Sequence, residues 1–225
     1  MATGYSRASG EDPSREDRAL AAKLAQRWKR RYPDIGTALD YAEPWQLLIA
    51  TVISAQTTDE NVNRATPELF ARFPDPASLA SADPVEVEEL IFSTGFYRQK
   101  TRSIIELAQD VCSRFDGRVP DSMDDLVTLK GVGRKTASVM LAEAWGAPAI
   151  AVDTHVRRVS QRLGLTSETD PVKIESDLKA LFAKGQWSKL SMRMIQFGRD
   201  VCDARRPRCG DCYLSDLCPY PHKMV

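Results

Sequence analysis

The chain has no long hydrophobic run. Its longest apolar stretch, from Leu47 to Ala55, falls well short of the roughly 18 to 20 residues that span a bilayer, which excludes a membrane segment. The N-terminal MATGYSRASGEDPSRED lacks the apolar core of a secretory signal, and Glu11, Asp12, Glu16 and Asp17 argue against a transit peptide. Residues 1–16 are therefore expected to be a flexible lead-in without chemistry of its own. Net charge is also missing, with 31 Lys and Arg against 31 Asp and Glu, so whole-protein electrostatics does not by itself suggest a nucleic-acid partner. Alternating apolar and polar runs are absent too, and no strand is expected. Cysteine is scarce outside one short region. Of the five, only Cys112 lies far from the C-terminal end, and its helical spacing among apolar residues marks it as a small core side chain.

What is present is a globular, intracellular composition, 43% hydrophobic over 225 residues, which can bury a core in one large domain or two small ones. Helical periodicity runs nearly throughout, so the fold class is all-α. RALAAKLAQRWKRRY is stopped by Pro33, and Pro44 opens WQLLIATVISAQ. Asp83 with Pro84, and Asp170 with Pro171, carry the signature of a capped helix start. Gly95 separates VEVEELIFS from YRQKTRSIIELAQDVCSRF, and Gly131 with Gly133 separates DSMDDLVTL from RKTASVMLAEAW.

Four cysteines, Cys202, Cys209, Cys212 and Cys218, are spaced C-x6-C-x2-C-x5-C and read as one metal site. Thiolates this dense suit soft metals, either an iron-sulfur cluster or tetrahedral zinc. Four-cysteine zinc sites are commonly built from two C-x2-C knuckles, and only one is present, so a 4Fe-4S cluster is preferred, with zinc second. A pair of disulfides comes third in an intracellular composition. Basic residues bunch as Arg98, Lys100 and Arg102, as Lys130, Arg134 and Lys135, as Arg157 and Arg158, and as Arg205, Arg206 and Arg208, while acids bunch elsewhere. Each cluster alone reads as solvated charge; together they fit a surface with a basic face. The hairpin Leu129-Lys130-Gly131-Val132-Gly133, followed by a helix near Arg134, resembles the helix-hairpin-helix DNA-binding motif. Its glycines permit positive φ and close approach, so backbone N–H groups and the positive start of the next helix can hold a phosphate without reading bases. Lys130 stands where the motif usually has proline, a departure expected to cost rigidity more than function. An ordinary helix-helix turn is the alternative.

LKGVGRKTASVML, AIAVDTHVRRV and the four-cysteine loop follow one another in the order and spacing of the endonuclease III family, which the chain resembles from about Pro44 to Cys218. The resemblance implies two helical domains with DNA in the cleft between them. Residues 36–146 would form a helical barrel with the helix-hairpin-helix at about 121–146, and residues 17–35 with 147–225 an iron-sulfur domain. It also implies a DNA glycosylase and abasic-site lyase acting on oxidised pyrimidines such as thymine glycol. The partner would be double-stranded DNA with damaged bases or abasic sites, and the protein a cytoplasmic, nucleoid-associated monomer.

By the same resemblance Lys135 is the nucleophile and Asp153 its partner carboxylate. The helix start, Arg134 and partial burial would disfavour the ammonium of Lys135 and free an amine to attack. Asp153 would assist proton transfer and stabilise the cationic sugar, or simply cap the helix that follows. His155 matches a family histidine near the site, contacting DNA or moving a proton. Gln56 would fill the space of a flipped-out base, and Phe96, where many relatives carry leucine, would wedge into the opposite strand or else pack inward. The cluster would be structural and would stiffen the loop carrying Arg205, Arg206 and Arg208 against phosphates. The alternatives are an adenine or thymine/uracil mismatch glycosylase, a branch that generally lacks the lysine, a non-enzymatic helix-hairpin-helix module, or a small electron-transfer protein.

Overall fold

The computed structural model describes residues 12–223, and among them every regular element is helical. In chain order the helices are α1 (Arg15–Arg31), α2 (Pro44–Ile53), α3 (Asp59–Arg72), α4 (Pro76–Ala80), α5 (Pro84–Ile91), α6 (Tyr97–Phe115), α7 (Met123–Leu126), α8 (Arg134–Ala144), α9 (Thr154–Arg162), α10 (Pro171–Leu181) and α11 (Trp187–Asp200). Short 3-10 turns lie at Phe92–Thr94 and Lys184–Gln186. The described residues form two compact units, one of Thr37–Gly146 and the other of residues 12–36 together with 147–223.

The expected lead-in ends sooner than residue 16. Ser14 Oγ accepts from the Asp17 N–H at 3.1 Å while the Asp17 carboxylate accepts from the Ser14 N–H at 2.8 Å, so a capping box starts α1 at Arg15. The acids at 16 and 17 suit the positive start of a helix. The rest of that lead-in, residues 1–11, lies outside the described residues.

In the Thr37–Gly146 unit, the apolar run becomes α2, buried on nearly every side through Trp45, Leu47, Leu48, Ile49, Ala50 and Ile53. It stops at Ile53, before the expected Gln56, which takes a left-handed φ of 55°. The 19-residue α6 packs on α2, α4 and α5 and contributes Ile104, Leu107, Ala108 and Val111 to the interior. Cys112 on the same helix is only half-buried. The segment DSMDDLVTL is helical only over Met123–Leu126, with Ser122 as its cap, and then turns toward the glycines.

In the other unit, α1 presents Ala21, Leu24, Ala25 and Trp28 on one face. Trp28 lies 6.4 Å from the Phe182 ring and 6.1 Å from that of Phe197, which joins α1 to helices far along the chain. Leu214 anchors the C-terminal loop in this same core. That loop has no helix or strand of its own among the described residues, so side-chain contacts must hold it. Arg27 forms two hydrogen bonds with the Asp216 carboxylate and donates to the Tyr213 carbonyl at 2.8 Å.

Candidate nucleic-acid interface and metal centre

In the Thr37–Gly146 unit, the two glycines make a turn. Val132 N–H donates to the Leu129 carbonyl at 3.1 Å, and Gly131 has φ 77°, the positive φ that the third residue of a type II turn requires. Gly133 then sits at the N-cap of α8 without a side-chain cap, and no acid occupies the first turn. A helix start with no side-chain cap and no acid in its first turn suits an anion. The start of α6 is built alike: its N-cap, Phe96, makes no side-chain cap bond, and no acid follows.

Both starts border one cavity of about 280 Å³, lined by Gln56, Phe96, Gln99, Lys100, Gly131 and Thr136 among others. Gln56 and Phe96 are exposed and share a rare feature, positive φ of 55° and 50° on residues other than glycine. Each such conformation costs about 1–3 kcal/mol and is kept where the surroundings impose it. Phe96 is 64% exposed, so the inward-packing alternative is set aside. Lys135 is exposed on the first turn of α8, and the partial burial expected for it is not found. The Lys130 ammonium lies 3.0 Å from Glu106.

Lys100 corrects the sequence reading more sharply, since it belongs to no surface cluster. It is 5% exposed, and its ammonium donates to the Thr94 carbonyl at 2.7 Å, tying the turn before Phe96 to α6. Burial pulls its pKa below the usual lysine value. A lysine four residues after Phe96, on the face shared with Ile104, was the available signal.

In the other unit, Asp153 is the N-cap of α9, its Oδ1 accepting from the Val156 N–H at 2.8 Å. His155, in the first turn, is half-buried. Burial pulls its ring below the ordinary histidine value; Arg158 and Arg199 add to that and Asp153 opposes it. Arg158 Nη2 stands 3.0 Å from His155 Nδ1. A guanidinium only donates, so Nδ1 is the acceptor and the neutral ring carries its proton on Nε2. Gly198 makes room for this pair, because a Cβ there would come within 3.0 Å of Nδ1.

None of the five cysteines is in a disulfide, and Cys202, Cys209, Cys212 and Cys218 line one cavity with Leu163, Phe197, Val201, Pro207 and Tyr220. Burial pushes the Cys212 and Cys218 thiols up, so filling the site would release protons. Among the described residues no three His, Cys, Asp or Glu side chains are grouped to hold one metal ion; the four thiols surround a space. Arg162 and Arg158, which the sequence reading passed over as site residues, brace this loop. Arg162 donates to Cys202 Sγ at 3.4 Å, to the Asp203 carbonyl at 2.7 Å and to the Ala204 carbonyl at 2.9 Å, and Arg158 donates to the Cys202 carbonyl at 3.0 Å. Asp203 accepts the N–H groups of Arg206 and Arg205, which hold its carboxyl below the usual range. Arg205, Arg206 and Arg208 are left exposed.

The profile of the HhH-GPD superfamily of base excision DNA repair proteins matches residues 49–184. Endonuclease III of Synechocystis is 53% identical over 192 residues, covering 85% of this chain and 88% of its own. The chain belongs to the endonuclease III family. Among solved structures, a non-covalent endonuclease III–DNA complex matches with a TM-score of 0.84 at 40% identity, covering 89% of this chain and 94% of that one. A trapped endonuclease III–DNA covalent intermediate with an estranged adenine matches with the same TM-score and identity, covering 89% and 95%. In this endonuclease III family member, Gln56, Phe96, the hairpin and Lys135 belong to one unit, and Asp153, His155 and the four cysteines to the other.

Proposed function

We propose that the protein excises oxidised pyrimidines such as thymine glycol from duplex DNA and nicks the strand at the abasic site, with Lys135 as nucleophile and Asp153 as the assisting carboxylate. The enzyme class, a base-excision DNA glycosylase with abasic-site lyase activity, follows from membership of the family. The observation that supports the residue assignment most is the placement of Lys135, an exposed amine on the first turn of an uncapped helix directly after the Gly131–Gly133 hairpin. Phosphates held by those N–H groups would bring a deoxyribose to that turn.

The Lys135 amine forms a bond to C1′ as the C1′–N bond to the base breaks, and the departing base takes up a proton. Asp153 stabilises the positive charge that develops on the sugar. The Lys135 nitrogen then loses a proton and its lone pair forms C1′=N as the C1′–O4′ bond breaks and O4′ takes up a proton; the resulting Schiff base acidifies C2′–H. Removing that proton expels the 3′ phosphate by β-elimination, and water then hydrolyses the Schiff base to restore the amine. Gln56 occupies the space of the flipped base, and Phe96 wedges beside it.

The four cysteines hold a 4Fe-4S cluster in this reading, which four free thiols around an apolar-walled cavity, with an arginine donor on one sulfur, support. When bound, the cluster supplies cross-links that fix the loop. No reaction step passes through it, and Arg205, Arg206 and Arg208 meet phosphates from the loop so fixed.

A labelled duplex with one thymine glycol tests the function, with adenine-mismatch and G·T-mismatch duplexes beside it. Release of the damaged base and a nick carrying an unsaturated sugar end are expected on the first duplex alone. Mismatch excision without action on thymine glycol would overturn the substrate assignment. Phe96→Ala should weaken binding to a duplex with an abasic analogue about tenfold, the scale of one lost base–aromatic stack, with Tm unchanged because the ring fills no core. A lower Tm with unaltered binding would contradict the wedge role.

A further inference from the structure

The hairpin is fastened to α6 by a set of contacts absent from the functional reading above. Three side chains spaced four apart on one face of α6 reach it: Glu106 meets the Lys130 ammonium at 3.0 Å, Asp110 Oδ2 accepts the Lys130 backbone N–H at 2.9 Å, and Arg114 donates to the Thr128 carbonyl at 2.9 Å. Lys130 is the second residue of the type II turn closed by Val132 and Leu129, a position where proline is favoured because it presets φ. That residue's N–H is not used within such a turn. Here it is used, by a carboxylate from a helix twenty residues earlier.

We propose that Asp110 is a positioning residue for the phosphate-gripping hairpin, acting through the Lys130 N–H to supply the fixity that a proline ring would supply covalently. Glu106 assists, but through an ion pair that has to order the exposed Lys130 side chain, and such pairs contribute little. The hydrogen bond to a charged acceptor is the stronger contact. An acid beside a DNA-binding turn is otherwise unfavourable, since it repels phosphates.

That conflict makes the test decisive. Charge alone predicts that both Asp110→Asn and Asp110→Ala bind DNA more tightly. The brace predicts that Asp110→Asn, which keeps an acceptor, binds at least as well as the intact protein, while Asp110→Ala binds about fivefold more weakly, as loss of one such hydrogen bond implies. Measured against Lys130→Pro alone, which accounts for the lost ammonium, Asp110→Ala should cost less than about twofold once proline stands at 130, since proline needs no acceptor and presets the turn. The experiment measures Kd for a duplex with an uncleavable abasic analogue across these variants, together with amide hydrogen exchange at Lys130 without DNA. Faster exchange at Lys130 in Asp110→Ala is expected. The inference rests on the hairpin's binding DNA, so failure of the intact protein to bind the duplex would overturn that reading along with it. Normal binding by the intact protein, with Asp110→Ala equally tight or just as costly beside Lys130→Pro as beside Lys130, would overturn the brace alone.

Discussion

Lys135→Gln should bind an abasic-analogue duplex within about threefold of the intact protein yet nick abasic DNA at least about a thousandfold more slowly, the scale of loss when a catalytic nucleophile is removed. Glutamine keeps a polar side chain able to meet a phosphate, so the exposed first turn of α8 remains a binding surface. What it lacks is an amine able to form a covalent bond to C1′. In the proposed reading the hairpin N–H groups would grip phosphates through the backbone, independently of the Lys135 side chain. Single-turnover nicking and equilibrium binding, measured together, separate the two roles. Equal losses in both would make Lys135 a phosphate contact.

The second large effect is expected from the cysteines. Cys218→Ser should emerge with little iron and acid-labile sulfide, without visible charge-transfer absorbance, and with a Tm lower by about 10 °C, as a loss of several kcal/mol implies for a chain of this size. The reason lies in how little else holds residues 202–223. They have no helix or strand and bury few apolar side chains, Leu214 completely, so polar contacts such as the Arg27–Asp216 pair and the carbonyl contacts of Arg158 and Arg162 hold them beside the thiols. Cys112→Ser is the control. That residue sits on α6 in the other unit, and its replacement should leave iron, sulfide and colour intact. Zinc in place of iron would answer the metal question the other way, and full iron retention in Cys218→Ser would contradict a four-thiolate site.

Much of this was legible from local chemistry. The caps at Asp83 and Asp170, each followed by proline, give helices where the sequence places them, because a cap is decided by three or four neighbouring residues. The glycine turn before α8 was equally plain, since positive φ at Gly131 is what glycine permits. Ser14 escaped notice because the acids that complete its capping box look like those of a solvated tail. Lys100 was placed on the surface because its charge outweighed its register on α6, and only the Thr94 carbonyl makes its burial tolerable. The Asp110 contact with the Lys130 N–H joins residues twenty apart, and the Arg162 contacts join residues about forty apart. No periodicity or spacing rule reaches across such distances. Whether an aromatic after glycine points inward was also undecidable locally; the exposure of Phe96 follows from its left-handed backbone at an uncapped helix start.

In the proposed mechanism the chemistry runs through one amine, that of Lys135. Incubating the protein with a thymine-glycol duplex, reducing with borohydride and digesting the trapped adduct for mass spectrometry tests it most directly. A single modified peptide is expected, with the sugar remnant on Lys135. A remnant on another lysine, or free base released with no adduct at all, would contradict it.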